Sequence, residues 1–286
     1  MDKTWPLDKG IDEIIVRALE EDLGPGDVTT QSLVPANQQA EARIIARDAG
    51  MVSGTKLAAA VFRHLDPNIT IKIVSADEQR VEPGTVLLWI KGAARAILSG
   101  ERTALNFLQH LSGITTETAR YVERVKPYGV RILDTRKTVP TLRTLEKYAV
   151  QCGGGHNHRM GLYDRVMIKD NHQAFWSALD NRTITDAVRA ARKRYPDLEI
   201  EVEIDRPDQL DPLLEDPPEW VLLDNMTPDA VHECVARCRD RIKVEVSGGI
   251  TLENIDAYAA AGPDAISVGA ITHSVRALDM ALEWMV

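Results

Sequence analysis

Between residues 130 and 268 the chain repeats one pattern six times, a short apolar run with helix-like stretches between the runs. The runs are VRIL (130–133), RVMI (165–168), EIEVEI (199–204), WVLL (220–223), KVEV (243–246) and AISV (265–268). The helix-like stretches lie near 141–150, 174–195, 207–214, 228–239 and 251–261. Strands that alternate with helices pair in parallel, because each return crosses over a face of the sheet. Two architectures satisfy that rule, an open doubly wound sheet and a barrel. The polar residues separate them. The first run is followed by Asp134, Arg136 and Lys137, the second by Lys169 and Asp170, and the fourth by Asp224 and Asn225. Ser247, Gly248 and Gly249 follow the fifth, Gly269 and Ala270 the sixth, and the third carries Glu201 and Glu203. Functional groups at the C-terminal ends of all strands converge on one barrel mouth. An open sheet would gather them at one switch point. The expected class is therefore α/β, with a six-stranded parallel α/β barrel.

The N-terminal part reads differently. Ile11, Ile14, Ile15, Ala18 and Leu19 give residues 8–22 a helical period, which GPGDVTT ends. Residues 41–91 read as an α+β block: EARIIAR, ITIKIVSA and TVLLWIKG as strands, GTKLAAAVFRHL as a helix. A long helical stretch from Ala93 to Lys126 follows, with an expected interruption near 112–115.

Charge narrows the function. The formal net charge is -9, which gives little attraction to a phosphate backbone, so nucleic acid is a poor partner. No apolar run reaches the ~18 residues of a membrane helix, and MDKTWPLDKG lacks a signal-peptide pattern. The three cysteines are too few and odd in number for a disulfide framework. A cytoplasmic protein is expected. Inside this acidic chain, residues 135–172 hold seven Lys and Arg against three acids. Such a basic island suits a small anionic ligand. Arg136, Lys137 and Lys169 fall at strand ends; Arg143 and Lys147, four apart on a helix, read as a solvated face.

VSGGIT and SVGAIT follow the last two strands. Their glycines admit close backbone approach, and paired loops there resemble the phosphate site of many barrels. Glu201 and Glu203 alternate in one strand and so share a face, and Asp224 ends the next. Carboxylates in a barrel mouth need a cation, either Mg²⁺ arriving with a phosphorylated substrate or a salt bridge to Lys137 or Lys169. His156 and His158 lack thiolates that would complete a structural metal site, and imidazole contacts to an anion suit them better. Cys234 and Cys238 read as packing.

Taken together, ERTALNFLQHLSGI, DTRKTVPTLRTLEKYAVQCGGGHNHRMGLYDRVMIKDNH, EVEI, LLDNM, VSGGI and SVGAIT resemble the quinolinate phosphoribosyltransferases, and the likeness begins at EDLGPGDVTT. Thr141 stands where that family more often has Gly after Pro140; Gln151 and Cys152 are variable positions. The resemblance implies an N-terminal α+β sandwich (1–111), joined by a C-terminal helix (273–286), beside an incomplete barrel (112–272). It implies a homodimer with shared active sites, in some members a hexamer. The implied reaction converts quinolinate and phosphoribosyl pyrophosphate to nicotinate mononucleotide, CO2 and pyrophosphate in NAD biosynthesis, with Mg²⁺ and no organic cofactor. By motif match Arg102, Arg136, His158, Arg159 and Lys169 meet quinolinate, Thr135 is a further substrate-binding residue, and Lys137 meets the anionic substrate and leaving group. Glu203 and Asp224 match the acidic positions for Mg²⁺, directly or indirectly. Ser247, Gly248 and Gly249 with Val268, Gly269 and Ala270 would cradle the 5'-phosphate. Lys137, Glu203 and Asp224 are the expected catalytic groups. Three rivals stand beside this. A Schiff-base aldolase using Lys169 explains the phosphate loops but not so many other cations. A related phosphoribosyltransferase would act on another ring acid. A non-catalytic sensor would not need clustered carboxylates.

Overall fold

The two hydrophobic periods of the sequence sort into two sheets. A computed structural model describes residues 10–179 and 182–285; the expectation about the first nine residues lies outside them. In chain order the elements are α1 (Ile11–Leu23), α2 (Val28–Leu33), β1 (Gln39–Ala46), β2 (Gly50–Met51), α3 (Thr55–Leu65), β3 (Thr70–Ile73), β4 (Arg80–Val81), β5 (Val86–Ala93) and α4 (Ala94–Val125). Then come β6 (Arg131–Leu133), α5 (Arg143–Cys152), β7 (Val166–Ile168), α6 (Asp170–Ser177), α7 (Ile184–Arg194), β8 (Ile200–Ile204) and α8 (Asp211–Glu215). The chain ends with β9 (Trp220–Asp224), α9 (Pro228–Cys238), β10 (Lys243–Ser247), α10 (Ile255–Ala260), β11 (Ala265–Ser267), α11 (Ala270–His273) and β12 (Met280–Trp284). It divides into two compact units. One holds residues up to Ala119, Thr138–Gly154 and those from Ile271 onward; the other holds Arg120–Lys137 and Gly155–Ala270. The division between these units falls within α4, between Ala119 and Arg120.

The first unit is built on an antiparallel sheet in the order β12-β1-β5-β3. Ala42, Ile44 and Ala46 alternate into its core, and α3 buries Leu57, Ala58, Val61 and Phe62. Three expectations are corrected here. The C-terminal segment is not a helix: β12 pairs antiparallel with β1, from Ala42 against Trp284 to Ala46 against Met280. The edge of β1 offers a row of backbone donors and acceptors, and a segment this short gains more from them than from nucleating a helix. Helix α4 is not interrupted at 112–115. Ser112 Oγ donates to the Ser53 carbonyl, and Thr116 Oγ1 donates back to the Ser112 carbonyl. A Cβ on Gly113 would lie 2.4 Å from the Arg276 carbonyl oxygen, so this glycine serves close approach and not termination. Lys147 is not on a solvated face: α5 buries Leu145 through Val150, and Lys147 is only 1% exposed. Arg143, half-buried, donates from Nε to Thr138 Oγ1.

The second unit is a six-stranded sheet in the order β6-β11-β10-β9-β8-β7, parallel throughout. Strands β6 and β7 do not pair, so the ring of strands is incomplete there. The chain after Gly155 runs along the free edge of β6: His156 N–H donates to the Ile132 carbonyl, and Asp134 N–H to that of His156. Register sets rows across the sheet. Trp220 lies beside Glu201 and Lys243, Leu222 beside Glu203 and Glu245, and Asp224 beside Ser247. Residues two apart share a face, so each row lies one step nearer the C-terminal mouth. Trp220 packs in one buried cluster with Leu133 and Ala265. Arg131, Arg165 and Lys243 stand 5.3, 5.2 and 5.1 Å from its ring centroid, within cation–π range. Its indole N–H donates to Glu199, which also pairs with Arg165.

Two outcomes follow from this packing. Trp220→Ala should lower unfolding stability by about 3–5 kcal/mol in urea titration, because it opens a cavity and strips a ring from three cations. Thr141 has φ 73° and is exposed, a conformation that costs a β-branched residue and not glycine. Thr141→Gly should therefore raise stability by roughly 1 kcal/mol in the same assay.

Candidate active site

Above the Trp220 layer lies a buried ionisable cluster. His158 Nε2 is 3.1 Å from Glu201 Oε2 and 3.3 Å from Glu245 Oε2. Both carboxylates are fully buried, and Ser267 Oγ donates to the other oxygen of Glu245. Arg165 also approaches Glu201, at 3.6 Å. The backbone fixes the ring from the other side. His158 N–H donates to the buried Asp134 carboxylate at 2.9 Å, and Arg159 N–H donates to Nδ1 at 2.7 Å. In its neutral form the ring therefore carries its proton on Nε2, aimed at the two carboxylates.

Electrostatics follow from that geometry. Burial disfavours the His158 cation, but pairing with Glu201 and Glu245 outweighs it and raises the pKa to about 9. Burial and the charge of Glu201 push Glu245 up to about 7. Burial alone would raise Glu201, yet His158 and Arg165 hold it below its ordinary value. Two buried carboxylates this close share the cationic partner unequally. Among the described residues, His158, Glu201 and Glu245 have ligand atoms near enough to meet one metal ion. Ligation by Nε2 needs the neutral ring with its proton on Nδ1, the tautomer that the Arg159 contact opposes. His158, Glu201 and Glu245 form a buried cluster of opposite charges.

Over this floor opens a cavity of about 270 Å³. Thr135, Arg136 and Lys137 line it after β6, His158 and Arg159 from the segment beside β6, and Met167 and Lys169 from β7 and its end. Glu203, Leu222, Asp224, Glu245, Ser247 and Ser267 complete the wall. Lys169 Nζ pairs with the Glu203 carboxylate, the salt bridge foreseen as one alternative. Burial and the neighbouring Arg136 charge both pull Arg159 below the ordinary arginine value. Two guanidiniums that repel each other at a cavity wall are relieved by an anion, and carboxylate forks suit them.

The expected residues fall into three sets. Thr135, Arg136, Lys137, His158, Arg159, Lys169, Glu203, Asp224 and Ser247 line the cavity together. Gly248 and Gly249 continue from Ser247 in a left-handed turn, with φ 99° and 60°, and Val268, Gly269 and Ala270 continue from Ser267. Arg102 lies on α4 in the first unit, exposed, and is not a lining residue. His156 is exposed while His158 is buried, so the two do not act as a pair. Cys234 and Cys238 are buried, as packing requires, and Cys152 is buried as well; none of the three is in a disulfide. Glu245, Ser267, Met167 and Leu222 escaped the sequence reading as site residues. Glu245 was detectable: it alternates with Val244 and Val246 as Glu201 and Glu203 alternate with Val202.

Residues 27–112 match the N-terminal domain of quinolinate phosphoribosyl transferase and residues 114–283 its C-terminal domain. The nicotinate-nucleotide pyrophosphorylase (carboxylating) of Mycobacterium leprae is 42% identical over 277 residues, covering 95% of this chain and 96% of that one. A quinolinate phosphoribosyltransferase (decarboxylating) of Nicotiana tabacum is 35% identical, covering 94% and 81%. The structure of the nicotinate-nucleotide pyrophosphorylase of Francisella tularensis superposes with TM-score 0.91 at 37% identity, covering 99% and 98%.

The ion-pair floor gives stability a defined pH dependence. Glu245 goes from 4.5 unfolded to about 7 folded, so its contribution is complete below 4.5 and lost as pH rises through 7. His158 goes from 6.5 to about 9, so its contribution is complete below 6.5 and lost as pH rises through 9. Urea midpoints measured at pH 5, 7 and 9 should fall in that order on account of this cluster. Glu245→Gln should flatten the slope and lower the His158 pKa in an NMR titration; an unchanged His158 titration would refute the pairing.

Proposed function

The chain belongs to the quinolinate phosphoribosyl transferase family, and on that premise we propose that its cavity transfers phosphoribosyl from phosphoribosyl pyrophosphate to quinolinate. Decarboxylation then gives nicotinate mononucleotide, CO2 and pyrophosphate, a step of NAD biosynthesis. One observation carries the reading: Arg136, Lys137, Arg159 and Lys169 converge in the cavity that Glu203 and Asp224 also line. A flat dicarboxylate answers such guanidiniums and ammoniums, and carboxylates beside it suit a developing ribosyl cation.

Arg136 and Arg159 bind and orient the ring carboxylates. Lys137, at the rim beyond Thr135, faces the charge of the leaving group. Asp224, which pairs with no cationic side chain among the described residues, would hold Mg²⁺, with Glu203, now paired to Lys169, beside it. Bound Mg²⁺ would neutralise pyrophosphate oxygens, since it takes one or two protein carboxylates alongside phosphate. The Ser247–Gly249 turn and the Val268–Ala270 segment offer backbone to the 5'-phosphate. The ribosylated ring nitrogen is cationic and stabilises the carbanion that departing CO2 leaves on the adjacent carbon, which then takes a proton from water, so no organic cofactor enters. Arg102, exposed on α4, acts in the site of a second copy, which makes the working unit a homodimer. Its substrates are small anions, not nucleic acid, and no helix among the described residues is long and apolar enough to cross a membrane. Three cysteines outside any disulfide suit a reducing compartment, and we place the enzyme in the cytoplasm.

Incubation with quinolinate, phosphoribosyl pyrophosphate and Mg²⁺ should yield nicotinate mononucleotide, and chelation should stop it. Nicotinate, which leaves cations unpaired, should be used at least ~100-fold less efficiently by kcat/KM; comparable values would overturn the assignment. Arg102→Ala and Lys137→Ala proteins should each be nearly inactive alone. Refolded together at equal amounts, with subunit exchange confirmed by tags, they should recover about a quarter of wild-type activity, because each mixed two-fold dimer keeps one intact site. Confirmed mixed dimers without recovery would place Arg102 outside a shared site.

A further inference from the structure

Asn225 directly follows Asp224 and adopts a left-handed backbone, with φ 56°. Asparagine tolerates that region better than other non-glycine residues. In this conformation its Nδ2 donates to Asp224 Oδ2 at 2.7 Å, and its N–H donates to the Ser247 carbonyl at 2.9 Å. Its Oδ1 occupies the space beside Gly248, where an added Cβ would stand 2.2 Å away. On the other side of the same loop, Asn254 Nδ2 donates to the Gly249 carbonyl at 2.9 Å, and its Oδ1 accepts from Thr251 N–H at 2.8 Å. Asn254 thus braces the loop alone, whereas Asn225 touches both the loop and the carboxylate.

We propose that Asn225 is a positioning residue that sets the Asp224 carboxylate and the Ser247–Gly249 loop as one unit, so that a metal-bound diphosphate and a sugar 5'-phosphate are received at a fixed separation. This rests on the function proposed above. A carboxylate at a strand end turns freely about its last bond. The amide ties one oxygen of Asp224 and leaves the other for a ligand, and hydrogen bonds of this kind orient ligating carboxylates. The same residue holds the first carbonyl of the loop and packs on its first glycine, so a shift of either element moves the other.

The test compares Asn225→Gly, Asn225→Asp and Asn254→Ala with wild type. Glycine keeps the left-handed backbone without strain and removes both side-chain contacts. Aspartate keeps the shape and replaces the donor with a second carboxylate. Calorimetry with phosphoribosyl pyrophosphate and Mg²⁺ reads binding without turnover. Asn225→Gly should weaken that binding ~10-fold or more and raise the Mg²⁺ concentration for half-maximal activity, while KM for quinolinate stays within about twofold. Asn225→Asp should do the same. Asn254→Ala should weaken binding without moving the Mg²⁺ requirement. The proposal is overturned if Asn225→Gly binds like wild type, or if both substrate KM values rise together with a lowered Tm, as general loosening would produce. A wild-type protein that binds the compound but forms no product would refute the reaction alone, and calorimetry would still judge Asn225. A wild type that does not bind it overturns both.

Discussion

The buried contact of His158 with Glu201 and Glu245 is the constraint around which the second unit is arranged. Two carboxylates without solvent are costly unless a cation and hydrogen bonds meet them. Here the imidazole sits within 3.3 Å of both, Ser267 caps one, and Arg165 approaches the other. The segment that carries the imidazole is held in turn by His158 N–H, which donates to the buried Asp134 carboxylate. The chain segment that carries His158 must therefore lie along β6, where the incomplete ring would otherwise expose an unpaired edge. One network neutralises the floor, fills the edge and aims the Arg159 backbone.

Above and below that floor the parallel register does the sorting. Each strand contributes side chains two residues apart to successive interior rows. Trp220, approached by three cations, lies in register with Glu201. Leu222 follows between Glu203 and Glu245. Asp224 beside Ser247 ends the series, and these two line the cavity with Lys169 and Glu203. Polarity rises toward the C-terminal ends because only there does solvent or a ligand share the cost of charge. This is why the exposed ends of short strands hold chemistry while their first residues hold packing.

The first unit obeys different physics. Its antiparallel sheet needs partners for its edges, and the segment that closes one edge comes from the far end of the chain, as β12 beside β1. Its long helix tolerates Ser112 and Gly113 because their neighbours satisfy the hydroxyl and occupy the space a side chain would take. Thr141 shows the reverse case, a residue held in a backbone conformation that glycine prefers, at an exposed position where the strain costs stability and no core contact.

The periodicities of the sequence were sufficient for the six parallel strands, their order of chemistry-bearing ends and the basic island, since these depend on local spacing alone. The match of long motifs carried the family and its substrates. What local spacing could not express was decided by tertiary contact. Segment 280–284 is a strand because an unpaired strand edge receives it, not because its residues alternate strongly. Lys147 is buried because α5 folds with the first unit, which no pattern within the helix announces. The pairing of Lys169 with Glu203, and the choice of Glu245 over other acids as partner to His158, depend on which rows the register brings side by side. The polar residues at strand ends are legible because solvent access is a local property of a chain end. The partners of buried charges are not, because desolvation is set by everything that closes over them.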